Sequence, residues 1–557
     1  MMDAKWWQKA VVYQVYPQSY QDSNGDGIGD LAGLTQRLPY IKKLGADVIW
    51  LNPIYESPNK DNGYDIANYR KIQTAYGTMA DFDHLLQRAH ELGLKILMDL
   101  VVNHTSDQND WFQESKKAKD NKYRDYYIWR DAKDGKEPNN WGSFFSGPAW
   151  TFDPTTQQYY LHLFAPGQPD LNWENPVVRN AVWDIMRFWL NKGVDGFRMD
   201  VINLISKPEG LPDGQKSKGA VYGDASSIVA DGARLNEFLQ EMNKQVISKY
   251  DMMTVGEMPS STPQDAIKYT GLQAKELNMV FQFEHVGLAG NPDPRLGKWH
   301  DQPVKLVDLK HALSRWQTAL DGKGWNSLYW NNHDQPRAVS RFANDQPQYR
   351  VKAAKMLGTT LHMMQGTPYI FEGEELGETN VHYTKLSQYE DLESLNAYEE
   401  FVNKEKIVDS QTMLNYLSHM SRDNARTPMQ WDDSAHAGFT KGQPWFAVNP
   451  NYTEINVKNA LADPNSVFYY YQKLIALRHS HELIVLGNYE ELDADDAEVF
   501  AYKRHYQGQM LLVMSNFTDH DVKRDYGQDQ AKRLLIGNYA DDQGTTLRPY
   551  ESKVYFF

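Results

Sequence analysis

The sequence contains no cysteine. Disulfide bonds, a catalytic thiol and thiolate ligands for a metal are therefore excluded. The absence of cysteine fits a reducing compartment, and the first residues lack the basic and apolar segments of a secretory signal. No stretch approaches the roughly 18 apolar residues that a membrane-spanning helix requires. We therefore expect a cytoplasmic protein with no membrane partner.

Positive charge is also scarce. The 557 residues include 58 Lys and Arg against 73 Asp and Glu, so the formal net charge is −15. Because nucleic-acid binding depends on clustered basic residues, we expect no nucleic-acid partner. An acidic chain suits a neutral or cationic substrate better than a polyanion. The length predicts two or three domains, and we expect a monomer or a weak oligomer.

Eight short apolar segments of strand length alternate with segments of helical spacing. Two of the helical segments, residues 82–92 and 182–190, are followed by Gly93 and Gly193, as is typical of helix ends. Eight strands separated by helices predict an α/β fold in which a parallel sheet closes into a (β/α)8 TIM barrel. The eight segments are residues 11–16, 47–52, 95–102, 194–201, 252–256, 279–284, 327–331 and 369–372.

Two stretches break this alternation. Residues 105–173 follow the third strand and are dense in Trp, Tyr, Asn and Pro without a helical period, which predicts an inserted subdomain. After the helix-like segment 467–478, short alternating runs with polar turns predict a C-terminal antiparallel β-domain. We therefore assign residues 1–104 and 174–480 to the barrel and residues 481–557 to a β-sandwich.

Polar residues follow four of the predicted strands. The third strand ends in His104, the fourth in Asp200, the fifth in Glu257 and the seventh in His333 and Asp334. Each taken alone fits a helix cap or a loop charge. Because the βα loops of a barrel converge at the C-terminal ends of its strands, the set predicts one active site.

Asp200 and Glu257 have different surroundings in the sequence. Arg198 lies two residues before Asp200, so both side chains face the barrel interior, and we expect Arg198 to lower the pKa of Asp200 as a nucleophile requires. Glu257 follows the apolar run 252–256, and we expect desolvation to raise its pKa as a general acid requires. Such a pair predicts cleavage of a glycosidic bond, and a retaining mechanism needs the two carboxyls about 5–5.5 Å apart.

The first βα loop has the pattern of a metal-binding loop. Oxygen side chains at alternate positions, a Gly in sixth place and a backbone carbonyl in seventh match the first nine positions of an EF-hand. Gly33 replaces the Glu expected in twelfth place, and no helix precedes the loop. We predict a structural Ca²⁺, with Mg²⁺ or an ion-free turn as alternatives. The predicted ligands are Asp22, Asn24, Asp26, Ile28 and Asp30.

Four short motifs at these strand ends resemble those of glycoside hydrolase family 13, the α-amylase superfamily. They are DLVVNH at 99–104, GFRMD at 196–200, VGE at 255–257 and NHD at 332–334. The resemblance covers essentially the whole chain, including the insertion and the C-terminal β-domain, and implies no organic cofactor. It implies that Asp200 is the nucleophile, that Glu257 is the acid/base and that Asp334 stabilises the transition state. It also implies that Arg198, His104 and His333 position the sugar.

Within that family the chain resembles the oligo-1,6-glucosidase (isomaltase) and dextran glucosidase group. The segment QPDLNW at 168–173, Val201 directly after the nucleophile and the EMP that begins at Glu257 carry this likeness. The group releases terminal glucose from the non-reducing end of short α-1,6-linked gluco-oligosaccharides such as isomaltose. The resemblance implies a pocket closed around that glucose by Asp61, Tyr64, Phe145, Phe164, Gln168 and Arg422.

Four alternatives remain open. Three are enzymes of the same family: an α-1,4-glucosidase, a trehalose-6-phosphate hydrolase and a sucrose isomerase. The phosphorylated substrate needs a basic outer pocket, which the sequence does not reveal, and the Arg-rich loop typical of the isomerases is not evident after Glu284. The fourth is a non-catalytic homologue such as a transporter ectodomain. We disfavour it because this chain has the carboxylates and lacks a membrane anchor.

Overall fold

The computed structural model describes residues 4–271 and 276–557, and its centre is a sheet of eight parallel strands. The strands are β1 (Val12–Val15), β2 (Val48–Leu51), β3 (Lys95–Val101), β4 (Gly196–Asp200), β5 (Met253–Glu257), β6 (Met279–Phe281), β7 (Ser327–Leu328) and β8 (Thr367–Phe371). Their order in the sheet is β6-β5-β4-β3-β2-β1-β8-β7. A parallel bridge between Val280 and Asn326 joins the two ends of this order, so the sheet closes. The predicted barrel is confirmed.

Helices surround the barrel and cover its outer face. Strands covered on both faces are expected to be continuously apolar, and the residues of β1, β2 and β4 are all buried. The longer helices are Leu31–Leu44, Met79–Glu91, Pro176–Lys192, Leu235–Gln245, Pro263–Thr270, Leu306–Leu320, Arg350–His362, Ser410–Met420 and Val467–Ser480. The shorter helices are Trp6–Lys9, Pro17–Tyr20, Asp110–Ser115, Ser226–Val229, Ala338–Phe342, Leu392–Tyr398, Asp423–Arg426, Val457–Ala462 and Glu482–Leu486. None of the described helices is long and apolar enough to cross a membrane.

Two glycines set where β4 begins. Gly193 ends helix Pro176–Lys192 in the left-handed conformation, with φ of 109°. Gly196, the first residue of β4, has φ of 154°, and a Cβ at this position would lie 2.0 Å from the backbone oxygen of Met253 in β5. Glycine is required here because β4 and β5 approach so closely. This approach aligns the two strands whose ends carry Asp200 and Glu257.

The insertion after β3 contains a small antiparallel sheet. Its strands are Trp129–Arg130, Gln158–Leu161 and Trp150–Asp153, with Gln158–Leu161 in the centre. Its apolar core is shared with the segment after β4, because Trp141 and Trp150 cluster with Leu204 and Val229. The long loop after β4 is therefore packed against the insertion, which the sequence did not indicate.

The C-terminal region is antiparallel, as predicted. Asn488–Leu492, Val499–Tyr506, Gln509–Asn516, Ser552–Phe556 and Arg533–Gly537 form a five-stranded sheet in that order. A two-stranded sheet of Val522–Lys523 and Thr546–Leu547 contributes Val522 and Leu547 to a common apolar cluster with the larger sheet. The division of the chain at residues 105–173 and 481–557 stays a prediction.

Candidate active site

The strand register brings the predicted residues together at the C-terminal rim of the barrel. Arg198 in β4 lies between Asp99 in β3 and Val255 in β5. Asp200 is the last residue of β4, and Glu257 is the last residue of β5. Because neighbouring parallel strands end at the same edge, the side chains of these residues face one another across the barrel mouth.

One guanidinium holds three carboxyl groups. Arg198 Nη1 lies 2.7 Å from Asp99 Oδ1 and 2.7 Å from Asp200 Oδ1, and Nη2 lies 2.7 Å from Glu257 Oε1. The Arg198 side chain is 1% exposed. Because two nitrogens of one planar group bind one oxygen from each residue, Asp200 and Glu257 are close neighbours with fixed orientations.

Arg198 does lower the pKa of Asp200, as expected, but this effect is smaller than the opposing ones. Burial raises the pKa of Asp200 well above its ordinary value, and although Arg198 opposes this shift, the nearby carboxyls of Glu257 and Asp99 add to it. Burial also raises the pKa of Asp99. The reason is that the charge of Arg198 is divided among three carboxyls in a dry site. Neighbouring carboxylates disfavour one another's ionisation, so the crowding adds to the effect of burial on Asp99 and Asp200.

The surroundings of Glu257 also differ from those expected. The preceding strand is apolar and buried, as predicted, but both carboxyl oxygens of Glu257 have polar partners. Oε1 binds Arg198, and Oε2 accepts a hydrogen bond of 3.0 Å from the backbone N–H of Val201. Val201 has φ of 34°, which is an uncommon left-handed conformation for a β-branched residue. This strained backbone directs the N–H toward Glu257.

Asp334 lies among cationic and imidazole groups. Arg426 Nη2 and Arg422 Nη1 lie 2.7 and 3.2 Å from its Oδ1, and His333 Nε2 lies 3.1 Å from its Oδ2. Although burial raises the pKa of Asp334, His333 and the two arginines hold it well below the usual range. Asp334 is therefore ionised, and it is fixed in one orientation by three partners.

Asp61 and Arg422 close one wall of the site. Arg422 Nη2 lies 3.2 Å from Asp61 Oδ1 and 2.6 Å from Asp391 Oδ1. Gln168 donates a hydrogen bond of 2.9 Å to Asp61 Oδ2, and the ring of Phe145 lies 5.0 Å from the Arg422 guanidinium. Burial raises the pKa of Asp61 to about 6, although Arg422 opposes the shift. Arg422 is thus a buried element of the wall and not a surface ion pair.

Tyr64 and His104 form the neighbouring wall. The Tyr64 ring stacks on His333 with 5.2 Å between ring centroids, and its hydroxyl donates to Asp99 Oδ2 at 3.0 Å. His104 Nε2 lies 3.1 Å from the backbone oxygen of Tyr64, and its ring lies 5.1 Å from Phe164. Burial lowers the pKa of His104 to about 4, so this ring is neutral near pH 7 and acts as a hydrogen-bonding group.

These side chains enclose a cavity of about 310 Å³. Three predicted residues do not line the cavity but contact residues that do. Gln168 binds Asp61, Arg198 binds Glu257, and His333 stacks on Tyr64. Ten predicted residues line the cavity: Asp61, Tyr64, His104, Phe145, Phe164, Asp200, Val201, Glu257, Asp334 and Arg422.

Sequence reasoning missed several members of the site. Asp99 belongs to the first motif, and Arg426 lies four residues after Arg422 in a short helix, so both carried a signal that was not used. Asp391 caps helix Leu392–Tyr398, and Glu393 in that helix reaches the cavity. No motif or period in the sequence singled out these two carboxylates.

Hydrogen bonds within the predicted metal loop fix its backbone conformation. Asp22 accepts from the backbone N–H groups of Asn24, Gly25 and Gly27. Asp30 caps helix Leu31–Leu44 by accepting from Gly33 at 2.6 Å. In the part of the chain that the structure describes, no three acidic or histidine side chains are grouped as metal ligands. The oxygen chemistry of the loop suits a hard cation, and Ca²⁺ binding here stays a prediction.

A TIM barrel with paired carboxyls at its C-terminal rim, beside a small cavity, is the arrangement of a glycoside-cleaving enzyme. Residues 14–487 match the alpha-amylase catalytic domain. The chain therefore belongs to the alpha-amylase family, glycoside hydrolase family 13. It is a glycoside hydrolase, and its substrate is a carbohydrate.

Individual relatives match along the full chain. An oligo-1,6-glucosidase of Parageobacillus thermoglucosidasius is 57% identical over 562 residues, which cover 100% of this chain and 99% of the relative. The crystal structure of a trehalose-6-phosphate hydrolase from Bacillus licheniformis has 48% identity and a TM-score of 0.92, over 99% of this chain and all of that one. The structure of an isomaltulose synthase from Protaminobacter rubrum has 42% identity and a TM-score of 0.95, over 100% of both chains.

Proposed function

We propose that this protein is a retaining, exo-acting α-glucosidase that releases terminal glucose from the non-reducing end of short α-1,6-linked gluco-oligosaccharides. The observation that carries the proposal is the attachment of Asp200 and Glu257 to adjacent nitrogens of Arg198, beside a cavity of about 310 Å³. The α-1,6 linkage is supported by the name of the 57%-identical relative and by Val201, which lines the cavity next to the nucleophile.

The reaction follows from the two carboxyls. Asp200 attacks the anomeric carbon while Glu257 donates a proton to the glycosidic oxygen, so the bond from carbon to the leaving oxygen breaks and a covalent glucosyl-enzyme forms. Glu257 then accepts a proton from water, the water oxygen attacks the anomeric carbon, and Asp200 leaves. This mechanism requires that Glu257 carries a proton and that Asp200 is ionised when substrate is bound. Two inversions return the α anomer of glucose.

The wall formed by Asp61 and Arg422 makes the enzyme exo-acting in this proposal. Charged groups held in fixed positions bind the hydroxyls of one glucosyl unit without reorganising during the reaction. Asp334, ionised and held by Arg426, accepts hydrogen bonds from ring hydroxyls and favours the distorted sugar of the transition state. A closed wall on this side leaves room for one terminal unit.

The substrate test uses isomaltose, maltose, trehalose 6-phosphate and sucrose, with the anomer of the first glucose released followed by NMR. We expect α-glucose from isomaltose. Cleavage of maltose without cleavage of isomaltose contradicts the linkage, and initial release of β-glucose contradicts the retaining mechanism. Preferred cleavage of trehalose 6-phosphate supports a trehalose-6-phosphate hydrolase instead of an α-1,6-glucosidase. Conversion of sucrose to an isomer supports a sucrose isomerase.

The nucleophile test compares a substitution at the C-terminal end of β4 with one at the residue just before its N-terminal end. Asp200→Asn is expected to lower kcat at least about a thousandfold, because the amide is a poor nucleophile. Asp195→Asn is the matched control, since Asp195 lies at the opposite end of β4, where it contacts His90 and Lys95. An Asp200→Asn enzyme with the activity of the Asp195→Asn control removes the assignment.

We propose in addition that Ca²⁺ binds the loop of residues 22–30 and stabilises the fold without a part in the chemistry. The support is the run of five oxygen donors in nine residues, provided by Asp22, Asn24, Asp26, Asp30 and the carbonyl of Ile28. Chelation is expected to lower the thermal midpoint, Ca²⁺ to restore it, and Asp26→Ala to abolish the difference. Equal midpoints with chelator and with Ca²⁺ in the unaltered enzyme contradict the proposal, and stronger restoration by Mg²⁺ assigns the site to that ion.

We also propose that the enzyme is cytoplasmic and a monomer or weak oligomer. The lack of cysteine supports the location. Cell fractionation and light scattering test these two statements, and recovery outside the cell or a stable large assembly contradicts them.

A further inference from the structure

The loops that follow β4 and β5 are joined beyond the last pair of residues in the two strands. Strand pairing ends at Met199 and Gly256, one residue before the proposed nucleophile and the proposed acid/base. Beyond that point, Asn203 Nδ2 lies 2.8 Å from the backbone oxygen of Pro259. Because a carbonyl oxygen can only accept a hydrogen bond, the amide nitrogen of Asn203 is the donor. Asn203 is fully buried and does not line the active-site cavity, so it can act on substrate only through other residues.

Asp231 and Ser261 complete the connection between the two loops. The backbone N–H of Asp231 donates to the backbone oxygen of Asn203 at 3.0 Å, and Asp231 Oδ2 accepts from Ser261 Oγ at 2.8 Å. Asn203 Nδ2 also lies 3.2 Å from Ser261 Oγ. Three parts of the chain are thereby held together: the turn after β4, the segment around residue 231 and the turn after β5. We call Asn203, Asp231 and Ser261 the loop clamp.

Three residues with a strained backbone lie in or beside the loop clamp. Val201, Asp231 and Ser260 have φ of 34°, 53° and 67°, in the left-handed region that residues other than glycine rarely adopt. Such conformations persist only where the surrounding contacts determine them. The cost is greatest for Val201, which is β-branched, and its N–H is the group that donates to Glu257 Oε2 at 3.0 Å. Loss of the loop clamp should therefore let Val201 relax and turn this N–H away from Glu257.

We propose that Asn203 is a positioning residue that keeps Glu257 oriented for proton donation to the glycosidic oxygen. Its hydrogen bond to Pro259 fixes the backbone that follows Glu257, and its own turn fixes the N–H of Val201. A general acid must lie within hydrogen-bond reach of the atom that it protonates, and a displacement of about 1 Å can cost about a hundredfold in rate. The inference rests on the proposed roles of Asp200 and Glu257, and it assigns control of the acid to a residue outside the cavity.

The experiment compares two substrates that differ in their need for an acid, in purified full-length enzyme. The leaving oxygen of isomaltose must be protonated, whereas 4-nitrophenyl α-glucoside releases a stabilised phenolate that needs little protonation. Because kcat/KM compares the transition state with free enzyme and substrate, it reports glucosyl transfer to Asp200 in both cases. Asn203→Ala is expected to lower kcat/KM about ten- to a hundredfold for isomaltose and about threefold or less for the 4-nitrophenyl substrate. A purely structural role of Asn203 would lower both values equally.

Two further variants separate positioning from stability. Asn516→Ala is the matched control, because Asn516 is equally buried and its amide donates to three backbone oxygens in the C-terminal domain. This variant should lower the thermal midpoint without changing the ratio of the isomaltose value to the 4-nitrophenyl value. Ser261→Ala removes one part of the loop clamp at a half-buried position, so it disturbs the core less, and it should lower the same ratio about two- to fivefold.

Equal losses for the two substrates in Asn203→Ala overturn the positioning role. If Asn203→Ala yields no folded enzyme, an unchanged ratio in Ser261→Ala overturns it. Glu257→Gln tests the assignment on which the inference rests, and its loss should be far larger for isomaltose than for the 4-nitrophenyl substrate. A Glu257→Gln enzyme that loses both activities equally refutes the acid/base assignment in the proposed function instead.

Discussion

Replacement of Arg198 by Met tests the electrostatic account of the site most directly. The substitution leaves Asp99, Asp200 and Glu257 buried without the cation that contacts each of them at 2.7 Å. With roughly 4 Å between the centres of charge, each attraction is worth on the order of 4 kcal/mol at an effective dielectric constant of about 20. The free-energy cost of dehydrating these charged groups and the repulsion among the carboxyls cancel most of this attraction. The net cost of removing one partner of a buried ion pair is about 3–5 kcal/mol.

The loss of stability should depend on pH. Burial already raises the pKa of Asp200 above its unfolded value, and removal of Arg198 raises it further. A carboxyl with a raised folded-state pKa contributes stability that is present below the unfolded pKa of about 3.9 and is lost as pH rises through the folded pKa. The Arg198→Met enzyme should therefore be close to the unaltered enzyme near pH 4 and about 3–5 kcal/mol less stable at pH 8.

Two measurements check this reasoning. Urea unfolding at several pH values gives the stability difference, and the pH profile of kcat/KM should show its acid limb moved to higher pH because Asp200 must ionise. Arg198→Lys keeps the charge without the planar fork and should be intermediate. Arg187→Met is the surface control, since Arg187 pairs only locally with Asp184. An Arg198→Met enzyme that matches this control in stability at pH 8 and in its acid limb refutes the account.

Three further outcomes are expected. Gly196→Ala should abolish soluble folded protein or lower the thermal midpoint strongly, because its Cβ would lie 2.0 Å from Met253 O, and a normal midpoint contradicts the required close approach. Glu374 accepts a hydrogen bond of 2.9 Å from the hydroxyl of Tyr471, and burial raises its pKa to about 8. The stability that Glu374 contributes below its unfolded pKa of about 4.3 is therefore lost as the pH rises toward 8. Glu374→Gln should therefore flatten the decline in thermal midpoint between pH 5 and pH 9, and an equal decline in both proteins contradicts that assignment. Arg422→Met should lower kcat/KM for isomaltose at least about a hundredfold, because Asp61 loses its cation and Asp334 loses one of its two arginines. Activity within twofold of the unaltered enzyme shows that Arg422 does not hold the glucose wall.

The barrel was predictable because its signals are local. Each strand is a short apolar run, and a parallel sheet covered on both faces requires such runs. Topology then supplied the site without any knowledge of distances, since the ends of parallel strands converge on one rim. His104, Asp200, Glu257 and Asp334 were found in this way, and all four line the observed cavity.

The electrostatics of the site were not predictable from the same residues. The neighbour of Asp200 along β4 is Arg198, but the charges that determine its pKa also include Asp99 and Glu257 on adjacent strands. A pKa depends on every charge nearby and on the depth of burial, and neither quantity is contained in spacing along one strand. The same limit hid Asp391 and Glu393, which come from a part of the chain without a motif.

The sequence by itself determined the fold class and the catalytic pair Asp200 and Glu257 as candidates, because strand periodicity and strand ends are local properties. The expected residues of the glucose pocket came from the resemblance of the sequence motifs to glycoside hydrolase family 13. The tertiary structure alone decided that one Arg198 is shared by three carboxyls and that Val201 directs its N–H toward Glu257. It alone also decided that the insertion and the β4 loop share a core. These features depend on contacts between residues far apart in the chain, and such contacts exist only once the barrel has closed.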